Sequence, residues 1–191
     1  MMVEIGRPRD PRIDSAVLQA TAELLGETDY ASLSVDAIAK RAGTSKPAIY
    51  RRWPSKAHLV HEAVFPVTEY TELPSTGSTL GDVREMMART FALLTTPAAL
   101  AALPGLVAEM AVDSTLHAAL LERFVDVLSY GLDDWLETAR KRGEVRAEVR
   151  PADVIDALAG IIFLALITHP ETLDEAWMDR TAEFIARGIG A

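Results

Sequence analysis

Apolar residues recur every three or four positions along most of the chain, the spacing that places them on one face of an α-helix. The helices that this pattern predicts in the first third of the chain cover residues 13–26, 35–41, 45–52 and 56–65. A serine or threonine stands directly before each of the last three, as is typical of an N-cap. No stretch shows the alternation of a β-strand. The pattern therefore predicts an all-α fold.

Residues 66–78 have no helical period and are rich in proline, threonine, serine and glycine, so we expect them to connect two parts of the protein. The helices predicted beyond them cover residues 80–94, 98–112, 121–143, 153–168 and 174–187. We expect Pro104 and Gly105 to interrupt the second of these helices, and the third to be one long amphipathic helix that ends at Gly143. The predicted domains are residues 1–65 and residues 66–191.

Charge separates these two parts. The chain has a net charge of −9, yet residues 1–65 carry 9 basic against 8 acidic residues, whereas residues 66–191 carry 10 against 20. Between Asp36 and Glu62 lie six basic residues and no acidic one. Most charge runs are solvated helix faces, but such faces usually mix the two signs. The basic cluster therefore indicates a surface for a polyanion.

The composition excludes several classes of chemistry. There is no cysteine, so disulfides, thiolate metal sites and thiol catalysis are ruled out. The longest apolar run, residues 157–167, is shorter than the roughly 20 residues that span a bilayer, and the first twelve residues lack the apolar core of a signal peptide. We expect a cytoplasmic protein that does not contact membranes.

The strongest local signal is the spacing of Ala39, Gly43 and Ile49. A helix-turn-helix needs a small residue where its two helices cross and a residue that tolerates a positive φ in the turn. It also needs an apolar anchor on the second helix, which Ile49 supplies against Val35 and Ile38. The spacing, together with the basic cluster, predicts a DNA-binding helix-turn-helix.

The stretch LSVDAIAKRAGTSKPAIYRRWPSKAHLV resembles the signature of the TetR/AcrR family of bacterial repressors, and the resemblance covers about residues 12–65. A weaker similarity to one C-terminal subfamily begins at Arg142. Trp53 and Pro54 depart from the family pattern, in which phenylalanine and a polar residue are common. The resemblance implies an N-terminal three-helix DNA-binding domain and a larger helical domain for dimerisation and effector binding.

The second helix of the motif would enter the major groove of double-stranded DNA, which is about 12 Å wide and admits one α-helix. Lys46 and Arg51 are the candidates for guanine, and Ala48 for a thymine methyl group. Pro47 would stiffen the approach, and Tyr50 would contact the phosphate backbone. The remaining phosphate candidates are Ser34, Thr44, Ser45 and Lys56.

Arg7 and Arg9 belong to a basic arm that precedes the first helix. Arginines of such arms enter narrow minor grooves in other DNA-binding proteins. A solvated, disordered tail is an equally good interpretation of the same residues.

One short reading helix discriminates weakly, so we expect a homodimer that reads a pseudo-palindromic operator. The run at residues 157–167 is apolar on all sides, more than a single core-facing stripe requires. As in the family, the last two helices and their symmetry mates are expected to form a four-helix interface; a buried central helix of a monomer is the alternative. The predicted interface residues are Ile155, Leu158, Ile162, Leu166, Trp177, Thr181 and Phe184.

A pocket for a small-molecule effector is implied by the resemblance, and the identity of the effector is not readable from the sequence. Methionines and aromatic residues at helical spacing are more often plain core than pocket lining. The candidate lining residues are Met86, Phe91, Met110, His117, Phe124, Leu128, Tyr130 and Trp135.

His58 and His61 lie one helical turn apart, but nothing supplies a third ligand, so no metal site is expected. Neither a phosphate-binding loop nor a nucleophile elbow is present, and we expect no cofactor and no enzymatic activity. We predict a transcriptional repressor that an effector releases from DNA. Two alternatives stay open: a regulator controlled by a protein partner or by none, and a small all-α enzyme or binding protein with an incidental basic face.

Overall fold

The computed structural model describes residues 11–66, 72–120 and 131–191. These residues are almost entirely helical, which confirms the predicted all-α class. Extended pairing among them is confined to one isolated antiparallel bridge between Val145 and Gly190. The described residues form two compact units, the first from residues 11–66 and 97–117 and the second from residues 72–96, 118–120 and 131–191. The division into domains of residues 1–65 and 66–191 stays a prediction.

The first unit begins with four helices: α1 (Pro11–Glu27), α2 (Val35–Arg41), α3 (Lys46–Tyr50) and α4 (Lys56–Val64). Serine hydroxyl groups cap α2, α3 and α4, because Ser34, Ser45 and Ser55 accept hydrogen bonds from the backbone N–H three residues further on. α2 and α4 therefore begin where Ser34 and Ser55 indicate, whereas α3 begins one residue later than predicted because Ser45, and not Thr44, is its cap. α1 runs one residue past Gly26 before it ends.

Apolar side chains from α1 to α4 form the core of this unit. Val17 and Leu25 of α1, Ile38 of α2, Ile49 of α3 and Leu59 of α4 are all at most 1% exposed. The same unit contains α6 (Pro97–Val112), which packs against α1 and α4. The core thus holds α3 rigidly while leaving its outer side in solvent.

α6 is one continuous helix, so the predicted interruption at Pro104 and Gly105 is wrong. Pro104 lies inside the helix and is exposed, and Gly105 lies against the ring of Tyr30. A Cβ atom at residue 105 would come within 2.9 Å of the Tyr30 Cβ and closer still to the ring. Glycine is therefore needed here for close packing rather than for a break.

The second unit contains α5 (Thr79–Leu94), α7 (Leu132–Lys141), α8 (Pro151–Thr168) and α9 (Glu175–Ile189), with a 3₁₀ turn over Pro170–Thr172. Residues 114–120, at the end of the first unit and the start of the second, are also helical. α5 packs against α8 and α9, and α7 packs against α8. Val83, Met87, Leu136, Val154 and Ile162 are fully buried at the centre.

The predicted long helix of residues 121–143 is not continuous where the structure describes it. Gly131 has a φ of +79° and caps α7, which begins at Leu132. Glycine adopts this left-handed conformation without the strain that a Cβ atom would cause, and the described helix starts directly after it. Gly143, with a φ of +71°, closes the other end as expected. Residues 121–130 lie outside the described residues.

α8 is 18 residues long and apolar enough to cross a membrane by length and composition, although the run at residues 157–167 is shorter. Only 28% of this helix is buried inside the protein. Helices of this kind also occur in the cores and interfaces of other proteins, so the feature by itself does not assign a membrane contact. Within the part of the chain that the structure describes, much of this apolar helix is not buried.

Candidate nucleic-acid interface

α2 and α3 are joined by a tight turn with the features that the sequence predicts. Ala39 is 5% exposed, and its carbonyl oxygen accepts a hydrogen bond of 2.9 Å from the Thr44 N–H. Gly43 has a φ of +65°, a conformation that residues with a Cβ rarely adopt. Ile49, at 1% exposure, anchors α3 to the core. This geometry defines a helix-turn-helix with α3 as its second helix.

The hydroxyl groups predicted to contact phosphate have local structural roles in this arrangement. Ser34 Oγ accepts from the Ala37 N–H at 3.1 Å, and Ser45 Oγ accepts from the Ala48 N–H at 3.3 Å. Both serines remain exposed, and Thr44 is half-buried. Each hydroxyl group keeps its own O–H for a second partner, since a cap uses only a lone pair.

The outer side of α3 carries three exposed polar side chains. Lys46 and Tyr50 are 46% and 43% exposed, and Arg51 follows at the end of the helix, also exposed. Pro47 is exposed beside them and Ala48 is half-buried. The structure thus brings the predicted base-reading residues to one short, capped helix whose opposite side is fixed in the core.

Four of the six basic residues of the cluster are held by groups of the same unit. Arg41 forms two hydrogen bonds with the carboxylate of Glu27, at 2.6 and 3.0 Å, and Arg52 pairs with Asp14 while only 15% exposed. Lys46 Nζ lies 2.8 Å from Asp36 Oδ2. The fourth, Lys56, also has an internal partner. Among the described residues, Arg51 and Lys40 have no ion-pair partner.

Lys56 points into the protein, a position that the sequence did not indicate. Its ammonium group donates to the Tyr30 carbonyl oxygen at 2.9 Å and lies 4.1 Å from the centre of the Tyr30 ring. The carbonyl oxygen and the ring face both attract a cation, so they hold Lys56 in place. A phosphate contact by Lys56 stays a prediction, and it would have to share this ammonium group with Tyr30.

Acidic and aromatic partners are what sequence reasoning missed in this site. Asp14, Glu27 and Asp36 lie on α1 or α2, and Tyr30 lies between those helices, far along the chain from the cations that they hold. The one feature of the sequence that could have indicated such a partner is the position of Asp36 at the start of the basic run. Trp53 is buried, and its Nε1–H donates to Glu62 Oε2 at 2.9 Å, which ties the last turn of α4 to the segment before the helix.

Two predicted DNA contacts, Arg7 and Arg9, lie outside the described residues. The same holds for three of the predicted pocket residues, Phe124, Leu128 and Tyr130. Their roles stay predictions.

The other predicted pocket residues differ in burial. In the second unit, Met86 and Trp135 are buried at 6% and 7% exposure, and Phe91 is half-buried. In the first unit, Met110 is half-buried and His117 is exposed. The indole N–H of Trp135 already donates to Asp82 Oδ2 at 3.0 Å. Trp135 is therefore bound within the core of its own unit.

A polar network fixes the start of α5 in the second unit. Asp82, 1% exposed, accepts from the Thr76 N–H at 2.6 Å and from the Thr76 hydroxyl group at 2.8 Å. Glu144 accepts from the Thr79 hydroxyl group at 2.7 Å, from Arg142 at 3.0 Å and from the Thr79 N–H at 2.8 Å. These bonds lower the pKa of Glu144 to about 2. The network is complete within the protein and holds α5 to the end of α7.

An open groove of about 500 Å³ lies beside this network, between the start of α5 and the end of α9. Its lining includes Ser78, Leu80, Glu183, Arg187 and the C-terminal Ala191. None of the residues predicted for the effector pocket lines it.

The residues predicted for a partner interface fall into two groups. Ile155, Leu158 and Ile162 are buried in the core of the second unit at 6%, 6% and 0% exposure, so they offer no surface to a second copy. Leu166, Trp177 and Thr181 are half-buried, and Phe184 is 71% exposed. The apolar side chains of α8 that face solvent are instead Leu164 and Ile167, each 61% exposed.

No cluster of three metal-ligating side chains occurs in the described ranges. The ring nitrogen Nδ1 of His58 lies 2.9 Å from the Ser55 hydroxyl group, and His61 is buried at 6% exposure. The two histidines on α4 therefore lie in different environments, one beside a hydroxyl group and the other buried.

Comparisons with known proteins agree with this geometry. A family profile described as bacterial regulatory proteins of the tetR family matches residues 17–63, and one described as the tetracyclin repressor-like C-terminal domain matches residues 73–185. The chain is 28% identical to the HTH-type transcriptional regulator YdeS of Bacillus subtilis, over 100% of this chain and 96% of that protein. It is 29% identical to the DNA-binding transcriptional repressor TetR of Mycobacteroides abscessus, over 88% of this chain and 89% of that protein.

Solved structures share the fold. The TetR family transcription regulator SCO0332 superposes with a TM-score of 0.71 at 24% identity, over 93% of this chain and 98% of that one. GusR of Salmonella enterica superposes with a TM-score of 0.68 at 16% identity, over 95% and 96%.

The helix-turn-helix and the matched relatives define a DNA-binding transcriptional regulator. Within that class, the chain belongs to the TetR family, as its sequence signature indicated.

Proposed function

We propose that this protein is a homodimeric, cytoplasmic repressor that binds a pseudo-palindromic operator through α3 and leaves it when a small-molecule effector binds. The observation that carries the proposal is that Lys46, Tyr50 and Arg51 are exposed together on the capped helix that follows the turn at Gly43. The acidic remainder of the chain repels DNA from other faces and so favours approach through this one.

Each exposed residue of α3 has a chemically defined role in this proposal. Arg51 and Lys46 donate to guanine O6 and N7, the commonest specific contact in the major groove. Ala48 meets a thymine methyl group, and Tyr50 contacts the phosphate backbone. Ser34, Thr44, Ser45 and Pro47 position the helix, while Arg7 and Arg9 enter the neighbouring minor groove.

A second copy of the chain covers the apolar faces of α8 and α9 in this proposal. Leu164, Ile167 and Phe184 are each more than half exposed, which is unfavourable for large apolar side chains. A partner that covered them would remove this unfavourable exposure. The half-buried Leu166, Trp177 and Thr181 lie at the edge of the same faces. The two copies present two α3 helices, and such pairs read half-sites about 34–36 Å apart.

Effector release works as a shift between two conformers. An effector that prefers the conformer with mismatched reading helices by about 1–3 kcal/mol weakens operator binding about 5–150-fold. The name of the Mycobacteroides abscessus relative, a DNA-binding repressor, supports repression rather than activation.

The test is selection of bound duplexes from a random pool with the full-length protein. We expect a pseudo-palindromic sequence with two half-sites about one helical turn apart. Binding of the selected duplex, followed by anisotropy, is expected to weaken steeply with salt, with a log–log slope of about −0.9 for each phosphate contact. Failure to enrich any sequence, or binding that is insensitive to salt, would reject the proposal.

A further inference from the structure

Asp36 is an exposed carboxylate on α2, and it is paired with Lys46, the first residue of the reading helix α3. Its Oδ2 atom lies 2.8 Å from Lys46 Nζ, while the Asp36 side chain is 70% exposed and that of Lys46 is 46% exposed. The pair therefore stands in solvent on the side of the protein that would face DNA. It is not part of the core.

Both candidates for guanine contacts are cations, but only the charge of Lys46 is neutralised by a neighbouring carboxylate. Arg51 has no ion-pair partner among the described residues, so it presents a full positive charge. Lys46 and Asp36 together present none. The carboxylate holds the Lys46 ammonium group charged, since it raises the pKa of Lys46. Lys46 is therefore a hydrogen-bond donor whose attraction for phosphate is cancelled by its neighbour.

The geometry points to Asp36 as a specificity-determining residue: by pairing with Lys46, it weakens binding to non-operator DNA more than binding to the operator. This inference rests on the proposed function and concerns the same surface.

On non-operator DNA, affinity comes almost wholly from cations that replace counterions on the phosphates. A neutral Lys46–Asp36 pair releases no net counterion. Lys46 therefore adds little to binding at a wrong sequence.

On the operator, Lys46 acts through hydrogen bonds to a base. An ammonium group has three donors. One can stay on Asp36 while the others reach guanine O6 and N7, so the contact survives without breaking the ion pair. Asp36 also limits the directions in which the flexible lysine can point. The pair thus favours the base contact over the phosphate contact.

The experiment measures Asp36→Asn against wild type with two probes: the duplex selected from the random pool and a scrambled duplex of the same length and composition. We expect the variant to bind the scrambled duplex more tightly, by up to about eightfold per subunit at 0.1 M salt, with a salt slope steeper by about 0.9. Affinity for the selected duplex should change by less than about twofold. The ratio of the two affinities therefore falls several-fold, and an unchanged ratio would overturn the inference.

Two further variants separate the mechanism from its alternatives. Glu27→Gln frees Arg41 from a comparable exposed ion pair and changes the net charge equally, but Arg41 is not on α3. We expect it to leave the affinity ratio unchanged. In a Lys46→Met background, Asp36→Asn should no longer alter the ratio. If it altered the ratio there by the same factor, Asp36 would act on DNA directly and the inference would be wrong.

Different outcomes test the proposed function and the role of Asp36. A wild-type protein that selects no sequence removes the proposed function itself. A wild-type protein that selects an operator, with an Asp36→Asn variant of equal selectivity and equal thermal stability, removes only the role of Asp36.

Discussion

Neighbouring arginines at the end of α3 differ in what their side chains contact. Arg51 is exposed and makes no ion pair with the described residues, whereas Arg52 pairs with Asp14 and is 15% exposed. Both were part of one basic run in the sequence. The partners show that a single run of charge contains a binding candidate beside a structural residue.

We predict that Arg51→Ala weakens binding of the selected operator by about 1–3 kcal/mol and relaxes the preference at one base pair, because it removes a guanine contact. Its thermal unfolding should match that of wild type. The measurement is affinity for the operator and for its single-base variants. Arg52→Ala serves as the matched control.

The control should change stability and not base preference, because Arg52 pairs with Asp14 and so links α1 to the end of the reading helix. Arg52→Ala should lower the unfolding temperature and leave the base preference of the remaining folded protein unchanged. Equal base preference in wild type and Arg51→Ala would remove Arg51 from base reading.

At the scale of elements, α6 approaches the connection between α1 and α2 most closely where Gly105 lies against the Tyr30 side chain, within the first unit. Tyr30 is 6% exposed, and it also carries Lys56 at its carbonyl oxygen and ring face. A single residue therefore joins α6, the connection between α1 and α2, and the start of α4.

We predict that Gly105→Ala destabilises the protein by about 1–3 kcal/mol, because the added methyl group overlaps the Tyr30 side chain in a packed interior. The measurement is the free energy of unfolding from urea titration. Gly26→Ala is the control: nothing lies within 4 Å of its added Cβ, so in α1 it should stabilise the protein by up to about 1 kcal/mol. Equal effects of the two changes would show that the Tyr30 contact is not tight.

The start of α5 is held by a carboxylate whose pKa depends on the fold. The Thr79 hydroxyl group, Arg142 and the Thr79 N–H stabilise the charged form of Glu144 and lower its pKa from 4.5 to about 2. Since the folded pKa is the lower one, this stabilising contribution is complete above about pH 4.5. It is lost as the pH falls from there towards 2.

We predict that Glu144→Gln lowers the free energy of unfolding at pH 7 and that its difference from wild type shrinks as the pH falls from 4.5 towards 2. Urea titrations across this range measure the difference. Glu137→Gln is the comparison, because Glu137 pairs with Lys141 on an exposed helix surface and should show a smaller difference. A constant difference between Glu144→Gln and wild type would contradict the assignment.

At the scale of the whole molecule, α8 and α9 expose large apolar side chains to solvent, which is unfavourable for the free energy of folding. Phe184 is 71% exposed, and Leu164 and Ile167 are 61% exposed. In the proposed dimer, a second copy would remove this surface from water and would supply a second reading helix for the operator. Both consequences follow from the same contact.

We predict that Phe184→Glu and Leu164→Glu each convert a dimer to monomers, because a carboxylate in an apolar interface loses its hydration without gaining a partner. Operator affinity should fall when dimerisation is lost, because each half-site is then bound by a separate monomer. Sedimentation equilibrium measures the mass, with Leu100→Glu, 48% exposed on α6, as the control. A wild-type protein that is monomeric while bound to the operator would contradict the prediction.

Local rules determined the helices and the turn. The caps at Ser34 and Ser55 and the left-handed glycines at 43 and 143 lie where the sequence places them, and the cap at Ser45 lies one residue beyond Thr44. Each of these features depends on groups within about four residues along the chain, so the amino-acid order is enough to define them. The exposed face of α3 follows from the same information, because one buried anchor, Ile49, sets the orientation of the whole short helix.

Tertiary packing alone decided which basic residues stay free and which apolar side chains turn outward. Arg41, Arg52 and Lys56 are held by Glu27, Asp14 and Tyr30, residues distant from them in the chain. The run at residues 157–167 of α8 is apolar on every side, so its sequence could not show that residues 158 and 162 face inward and 164 and 167 outward. Charge and hydrophobicity are properties of single residues, whereas pairing and burial depend on what the folded chain brings beside them.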